Sequence, residues 1–171
     1  MKQLFILIFF ISTPMISQQS TPTTAFLEKW NNSKDYLLKI AASMPEKDFE
    51  YRPTAEQMDF KSQLIHICGN MLWLGTNYFS NKKFNRTEFA KRTPSSREDV
   101  IKFVKESFDS VYEKVQNTPE DSLAVEVDFF AGRKSKLQIL NLLQDHVTHH
   151  RGQLIVYLNL NGIKPPEYVG W

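Results

Sequence analysis

The sequence predicts an all-α chain, a four-helix bundle with at most a short extended segment between the third and fourth helices. Four stretches repeat apolar residues near the 3.6-residue period, and Pro, Gly and capping residues separate them. The composition, 42% hydrophobic and 23% charged, is that of one ordinary globular domain, and 13 Phe, 6 Tyr and 3 Trp are bulk enough for a real core.

Lys2 and the unbroken apolar run Leu4 to Ile11 open the chain, and the small or polar residues Ser12, Thr13, Pro14 and Ser17 follow. The run is far shorter than the roughly 20 residues a spanning helix needs. Residues 1–19 are therefore expected to be a cleaved signal peptide, and residues 20–171 a single exported domain, periplasmic or secreted, with no membrane attachment after cleavage. A formal charge of +2 gives no clustered basic face, which excludes nucleic acid as a partner. One cysteine, Cys68, permits no internal disulfide; on an apolar helix it reads as a core residue rather than a nucleophile.

The first helix is expected from about Thr24, with Phe26, Trp30, Leu37, Ile40 or Ala41, and Met44 on its buried stripe; Pro45 ends it. After a connection containing Tyr51-Arg52-Pro53, a second helix runs from about Phe60 to Phe79, filled by Leu64, Ile67 or Cys68, Met71, Leu72 and Leu74. Ser80 to Pro94 is basic and Asn-rich and reads as a solvated loop. Ser95 with Glu98 forms a capping-box pattern for the third helix, buried along Val100, Phe103 or Val104, Phe108, Val111 and Val115. Leu123 to Phe129 alternates apolar and polar residues, a weak extended signal. Ser135 with Gln138 caps the fourth helix. It tolerates Gly152 and ends before Gly162, which suits a left-handed position, and Pro165-Pro166.

The chemistry lies in the histidines. His146 and His150 are four apart on the fourth helix and share a face, and imidazole is a favoured ligand for zinc, nickel and iron. Their stripe continues through Ile139, Leu142 or Leu143, Gln153, Tyr157 and Leu160, polar in the middle and apolar at its ends, so it faces inward. His66, on the second helix, is the third candidate ligand. His149 is an alternative partner for His146, but the alignment of His150 with Gln153 and Tyr157 favours His150. Gln63 and Asn70 flank His66 by three and four residues and are candidates to line the same cavity. Arg151 reads as an ion-pairing residue on the bundle flank. No side chain stands out as a general base.

The segment His146-Val147-Thr148-His149-His150-Arg151-Gly152-Gln153, then Tyr157-Leu158 and Gly162-Ile163-Lys164-Pro165-Pro166-Glu167-Tyr168, resembles the DinB/YfiT-like metalloenzymes. Tyr51-Arg52-Pro53 and Gln63-Leu64-Ile65-His66-Ile67 agree in order, so the resemblance covers nearly the whole chain after the leader. It implies an up-down-down-up bundle and a divalent metal held by His66, His146 and His150. Zinc or nickel is favoured, with iron or manganese as further options, and a homodimer is implied as well. The family includes thiol S-transferases, amidases and isomerases. Because low-molecular-weight thiols are mainly cytoplasmic, an exported chain points away from thiol transfer. The expectation is a metal-dependent transferase or hydrolase acting on an unidentified small molecule. The alternative is a non-catalytic module that holds a metal or a ligand.

Overall fold

The computed structural model describes residues 20–171, so the expected signal peptide lies outside the described residues. Four long helices form the bundle: α1 (Pro22–Ser43), α2 (Phe60–Tyr78), α4 (Arg97–Gln116) and α5 (Lys136–Leu160). A short α3 (Arg86–Arg92) lies in the α2–α4 connection, and the hairpin β1 (Glu126–Val127) and β2 (Lys134–Ser135) lies between α4 and α5. Among the described residues no helix is long and apolar enough to cross a membrane.

The expected stripes are the buried ones. Trp30, Leu37 and Ile40 on α1, Met44 just past its end, and Val100, Val104, Phe108 and Val111 on α4 are all fully buried. Trp30 stacks near Phe108 (4.6 Å between ring centroids) and donates its indole N–H to the Phe108 carbonyl at 3.1 Å, so the largest core residue leaves no buried donor unpaired.

Helix directions follow from the contacts. Thr23 near the start of α1 meets Glu120 beyond the end of α4, and Arg97 at the start of α4 donates to the carbonyls of Ala42 (2.7 Å) and Met44 (2.8 Å) at the end of α1. These two helices are antiparallel. Gly75 on α2 packs on Val111, and Gly69 packs on Phe89 of α3, which reaches Phe103 of α4, so α2 and α4 run parallel. Gln63 and His150 pair near the start of α2 and the later half of α5, making those two antiparallel. The order is up-down-down-up, in agreement with the resemblance.

Parallel neighbours require the chain to return the length of a helix, about 30 Å for 20 residues, before α4 can start. Residues 79–96 make that return, and α3 forms within them. Here the expected solvated loop is corrected: Asn85 caps α3 by accepting from the Thr87 and Glu88 N–H groups, Phe89 packs against the core, and the Phe84 N–H donates to Asn77 Oδ1 at 3.0 Å. The cap of α4 is Ser96, whose hydroxyl accepts from the Asp99 N–H (3.1 Å), not Ser95. Both registers carry a serine with an acid three residues later. Arg97, tied to the end of α1, settles which one starts the helix. The extended signal at Leu123 to Phe129 shortens to Glu126–Val127, because Glu120–Ala124 winds into a 3-10 turn. The Ser135/Gln138 capping box is present, and Gly162 is left-handed (φ 70°) just past α5. α1 starts two residues earlier than expected, at a Thr21/Thr24 capping box with Pro22 at the first helical position.

Two glycines inside helices should respond oppositely to alanine. A Cβ at Gly75 would lie 2.9 Å from a methyl of the fully buried Val111, whereas at Gly152 it would meet nothing within 4 Å. Gly152→Ala should therefore raise stability in urea denaturation by about 0.5–1 kcal/mol through helix propensity alone. Gly75→Ala should lower it despite the same propensity gain.

Candidate metal centre

Antiparallel packing of α2 on α5 brings His66, His146 and His150 together. Their ring centroids are 5.0 Å (His66–His146), 4.6 Å (His66–His150) and 4.5 Å (His146–His150) apart. Each ring offers a nitrogen within 4.8 Å of the other two, so the three could hold a metal ion. Exposure is graded: His150 is buried, His146 half-buried and His66 exposed, so the cluster has a floor and an open rim.

A chain of amides fixes the floor. His150 Nδ1 lies 2.6 Å from Gln63 Oε1, Gln63 Nε2 lies 2.5 Å from Gln153 Oε1, and Gln153 Nε2 lies 2.9 Å from His149 Nε2. An amide oxygen only accepts and an amide nitrogen only donates. The chain therefore runs one way: His150 Nδ1–H donates to Gln63, Gln63 to Gln153, and Gln153 to His149. His150 is thereby held with its proton on Nδ1, leaving the Nε2 lone pair as its free ligand atom. Tyr157 completes the arrangement. Its hydroxyl lies 3.4 Å from Gln63 Nε2 and donates to the Met58 carbonyl at 2.9 Å.

His146 Nε2 lies 3.1 Å from His66 Nε2, close to the roughly 3.3 Å between two nitrogens that each lie 2.0–2.1 Å from one tetrahedral metal. His146 Nδ1 is buried without a hydrogen-bond partner, as is Asn70 Oδ1, one helical turn from His66. An all-imidazole donor set with two facing nitrogens and a third lone pair oriented by Gln63 fits a divalent transition metal.

Electrostatics keep the imidazoles neutral. Burial, reinforced by His150, His66 and His149, lowers the His146 pKa to about 3. Burial with repulsion from His66 and His149 lowers His150 to about 4 against a small opposing effect of Gln153, and burial also lowers His66. Neutral rings are the form that ligates metal.

The other candidates fall into place differently. His149 is exposed and ends the amide chain; its ring centroid lies 4.9 Å from that of His150, but the three nitrogens that converge are those of His66, His146 and His150. Gln63 is buried and central, a stronger part than the sequence suggested. Arg151 is not the ion-pairing flank residue expected. It is buried, its guanidinium lies 3.4 Å from Ser33 Oγ and 5.2 Å from the Tyr36 ring centre, and among the described residues no carboxylate pairs with it. One residue beyond His150 is a rotation of about 100°, which turns Arg151 from α2 toward α1. Leu160 projects past the bundle and is exposed, unlike the rest of its stripe. Cys68 is a buried core thiol that burial pushes up to about 12, far from a nucleophile's range. The relay through Gln153 and Tyr157 was signalled in the sequence only as their shared stripe.

A mainly helical bundle with an inward-facing triad of imidazoles defines the class of protein. The family profile described as the DinB family matches residues 17–170, and the chain belongs to that family. Among solved structures it is similar to a DinB-like protein from Bacillus subtilis, at 18% identity and a TM-score of 0.69, with 84% of this chain and 97% of that chain covered. It is also similar to a DinB-like protein from Bacillus cereus ATCC 10987, at 20% identity and a TM-score of 0.70, with 84% and 95% covered. At these identities the likeness concerns the fold. No curated protein matches the chain.

The lowered histidine pKa values give a signed prediction for the metal-free protein. An unfolded histidine protonates near pH 6.5, whereas His146 and His150 in the fold do so near 3 and 4. Between those limits the unfolded chain binds more protons, so their contribution is fully present above about pH 6.5 and is lost as pH falls toward 3. The melting temperature of metal-free protein should drop from pH 7 to pH 4. The drop should be smaller in a His146→Gln/His150→Gln variant.

Proposed function

We propose that this protein is an exported, metal-dependent enzyme, a transferase or hydrolase, acting on a small molecule at a divalent cation held by His66, His146 and His150. The observation that carries the reading is the triad itself: three imidazoles held neutral by lowered pKa values, from buried His150 through half-buried His146 to His66 open to solvent at the rim. Zinc and nickel suit three imidazole nitrogens best. A bound cation would supply Lewis-acid polarisation of a substrate atom at the open rim.

The chain's own contribution is orientation. Gln63 presents His150 Nε2 toward the cluster, Gln153 and Tyr157 hold Gln63, and burial keeps protons off the ligand nitrogens. Export rests on Lys2 and the Leu4 to Ile11 run, and the homodimer rests on family resemblance alone.

Elemental analysis of purified protein should find about one divalent metal per chain, with a melting temperature that rises with free metal. His66→Ala, His146→Ala and His150→Ala should each abolish stoichiometric binding, while His149→Ala retains it. Gln63→Leu should keep the ligands and lower metal affinity about 10- to 100-fold, the usual cost of removing a partner that orients a ligand. Full metal content in His146→Ala, or its loss in His149→Ala alone, would refute the ligand assignment.

N-terminal sequencing of material recovered outside the cytoplasm should begin after Ile11, between Ser17 and Ser20. Intact protein found only in the membrane fraction would contradict the proposed leader.

A further inference from the structure

The bundle has a concavity that shares no residue with the histidine cluster. It is a cleft of about 600 Å³ between the C-terminal half of α2, the returning segment with α3, and α4. That volume is within the range of small-molecule sites. On α2 the cleft residues Leu72, Thr76 and Phe79 lie roughly 80–140° around the helix from His66. One helix thus serves two separate surfaces.

The cleft has two chemically distinct parts. Phe84, Phe89 and Phe103 line one wall as a series of rings, with centroids 5.6 Å apart between Phe84 and Phe89 and 5.8 Å between Phe89 and Phe103. Phe84 and Phe89 are only half-buried, so ring surface is available to a ligand. Around them stand Lys82, Lys83, Arg92 and Lys114, against the two carboxylates Glu88 and Glu113. Glu88 is engaged by Lys91 at 3.0 Å, and among the described residues none of the four cations has a carboxylate partner.

Lys114 is the informative one. It is half-buried, and its ammonium reaches only neutral acceptors, the Ser110 carbonyl (3.0 Å) and hydroxyl (2.6 Å). Burial lowers its pKa, against a raising effect of Glu113 that is larger than the lowering effect of Lys82. A partly desolvated ammonium that reaches only neutral acceptors is stabilised by an incoming anion. Scattered surface lysines have no such need, because water solvates them fully.

We propose that this cleft binds a small organic oxyanion, its aromatic or aliphatic body against Phe84, Phe89 and Phe103 and its phosphate or carboxylate among Lys82, Lys83, Arg92 and Lys114. Aromatic faces supply apolar area, and the flexible ammonium and guanidinium groups supply charge-assisted hydrogen bonds to the oxyanion. This ligand is distinct from any substrate at the histidines, and the inference stands whether or not the metal reading does.

The test is titration of the full chain with 1-naphthyl phosphate, followed by calorimetry, with inorganic phosphate and 1-naphthol as separate arms. The expected result is one saturable site, with naphthyl phosphate bound on the order of tenfold or more tighter than either fragment. Lys83→Gln/Arg92→Gln, both exposed positions, should weaken it on the order of tenfold while metal content stays unchanged. Lys114→Met should weaken it similarly, with a cooperative thermal melt as the check that the variant folds. A His146→Ala variant should bind naphthyl phosphate as the parent does. No saturable binding, binding insensitive to all three cation substitutions, or binding lost with His146→Ala would each overturn the proposal.

Discussion

The seam between α2 and α5 places polar side chains where a bundle ordinarily buries apolar ones, and every consequence at the site follows from how those groups find partners. A buried amide or imidazole left unpaired costs on the order of 1–3 kcal/mol. Gln63 is 1% exposed, and three groups of α5 meet its amide: His150 on the oxygen, Gln153 and Tyr157 on the nitrogen. The same burial that compels this pairing lowers the histidine pKa values and so keeps the ring nitrogens available. His146 Nδ1, by contrast, has no hydrogen-bond partner.

The seam can exist only because the opposite side of α2 is apolar and tightly packed. Ile67, Cys68, Met71, Leu74 and Gly75 set α2 against α4, where Gly75 admits Val111. Parallel packing of those two helices dictates the long return through α3, and Gly69 lets Phe89 seat against α2. The cleft beside α3 is thus a by-product of topology. One helix carries a polar face toward α5 and lines a mixed aromatic and basic cleft beside α4.

Much of the fold was legible because core burial and capping are local signals. The α1 and α4 stripes, the Ser135/Gln138 box and the left-handed Gly162 all depend on residues within a few positions of one another. So does the His146/His150 pair, since two residues four apart on any helix share a face. Where the sequence was misread, a distant contact decided the matter. Ser95 and Ser96 are locally equivalent caps, and Arg97 bonded to the end of α1 chooses between them. The segment 80–94 is polar enough to pass for a loop, yet Phe89 against the core and the Phe84 N–H on Asn77 draw it onto the bundle.

By itself, then, the sequence determined the four long helices, the buried stripe of each and the candidate ligands, because helical periodicity and spacing act over one or two turns. Only the tertiary structure decided that His66 meets the pair, that Gln63 rather than a carboxylate orients His150, and that Arg151 turns toward Ser33 and Tyr36. Those outcomes depend on which helices become neighbours and in which direction. Chain reversal across 80 or more residues sets them, and no local pattern records it.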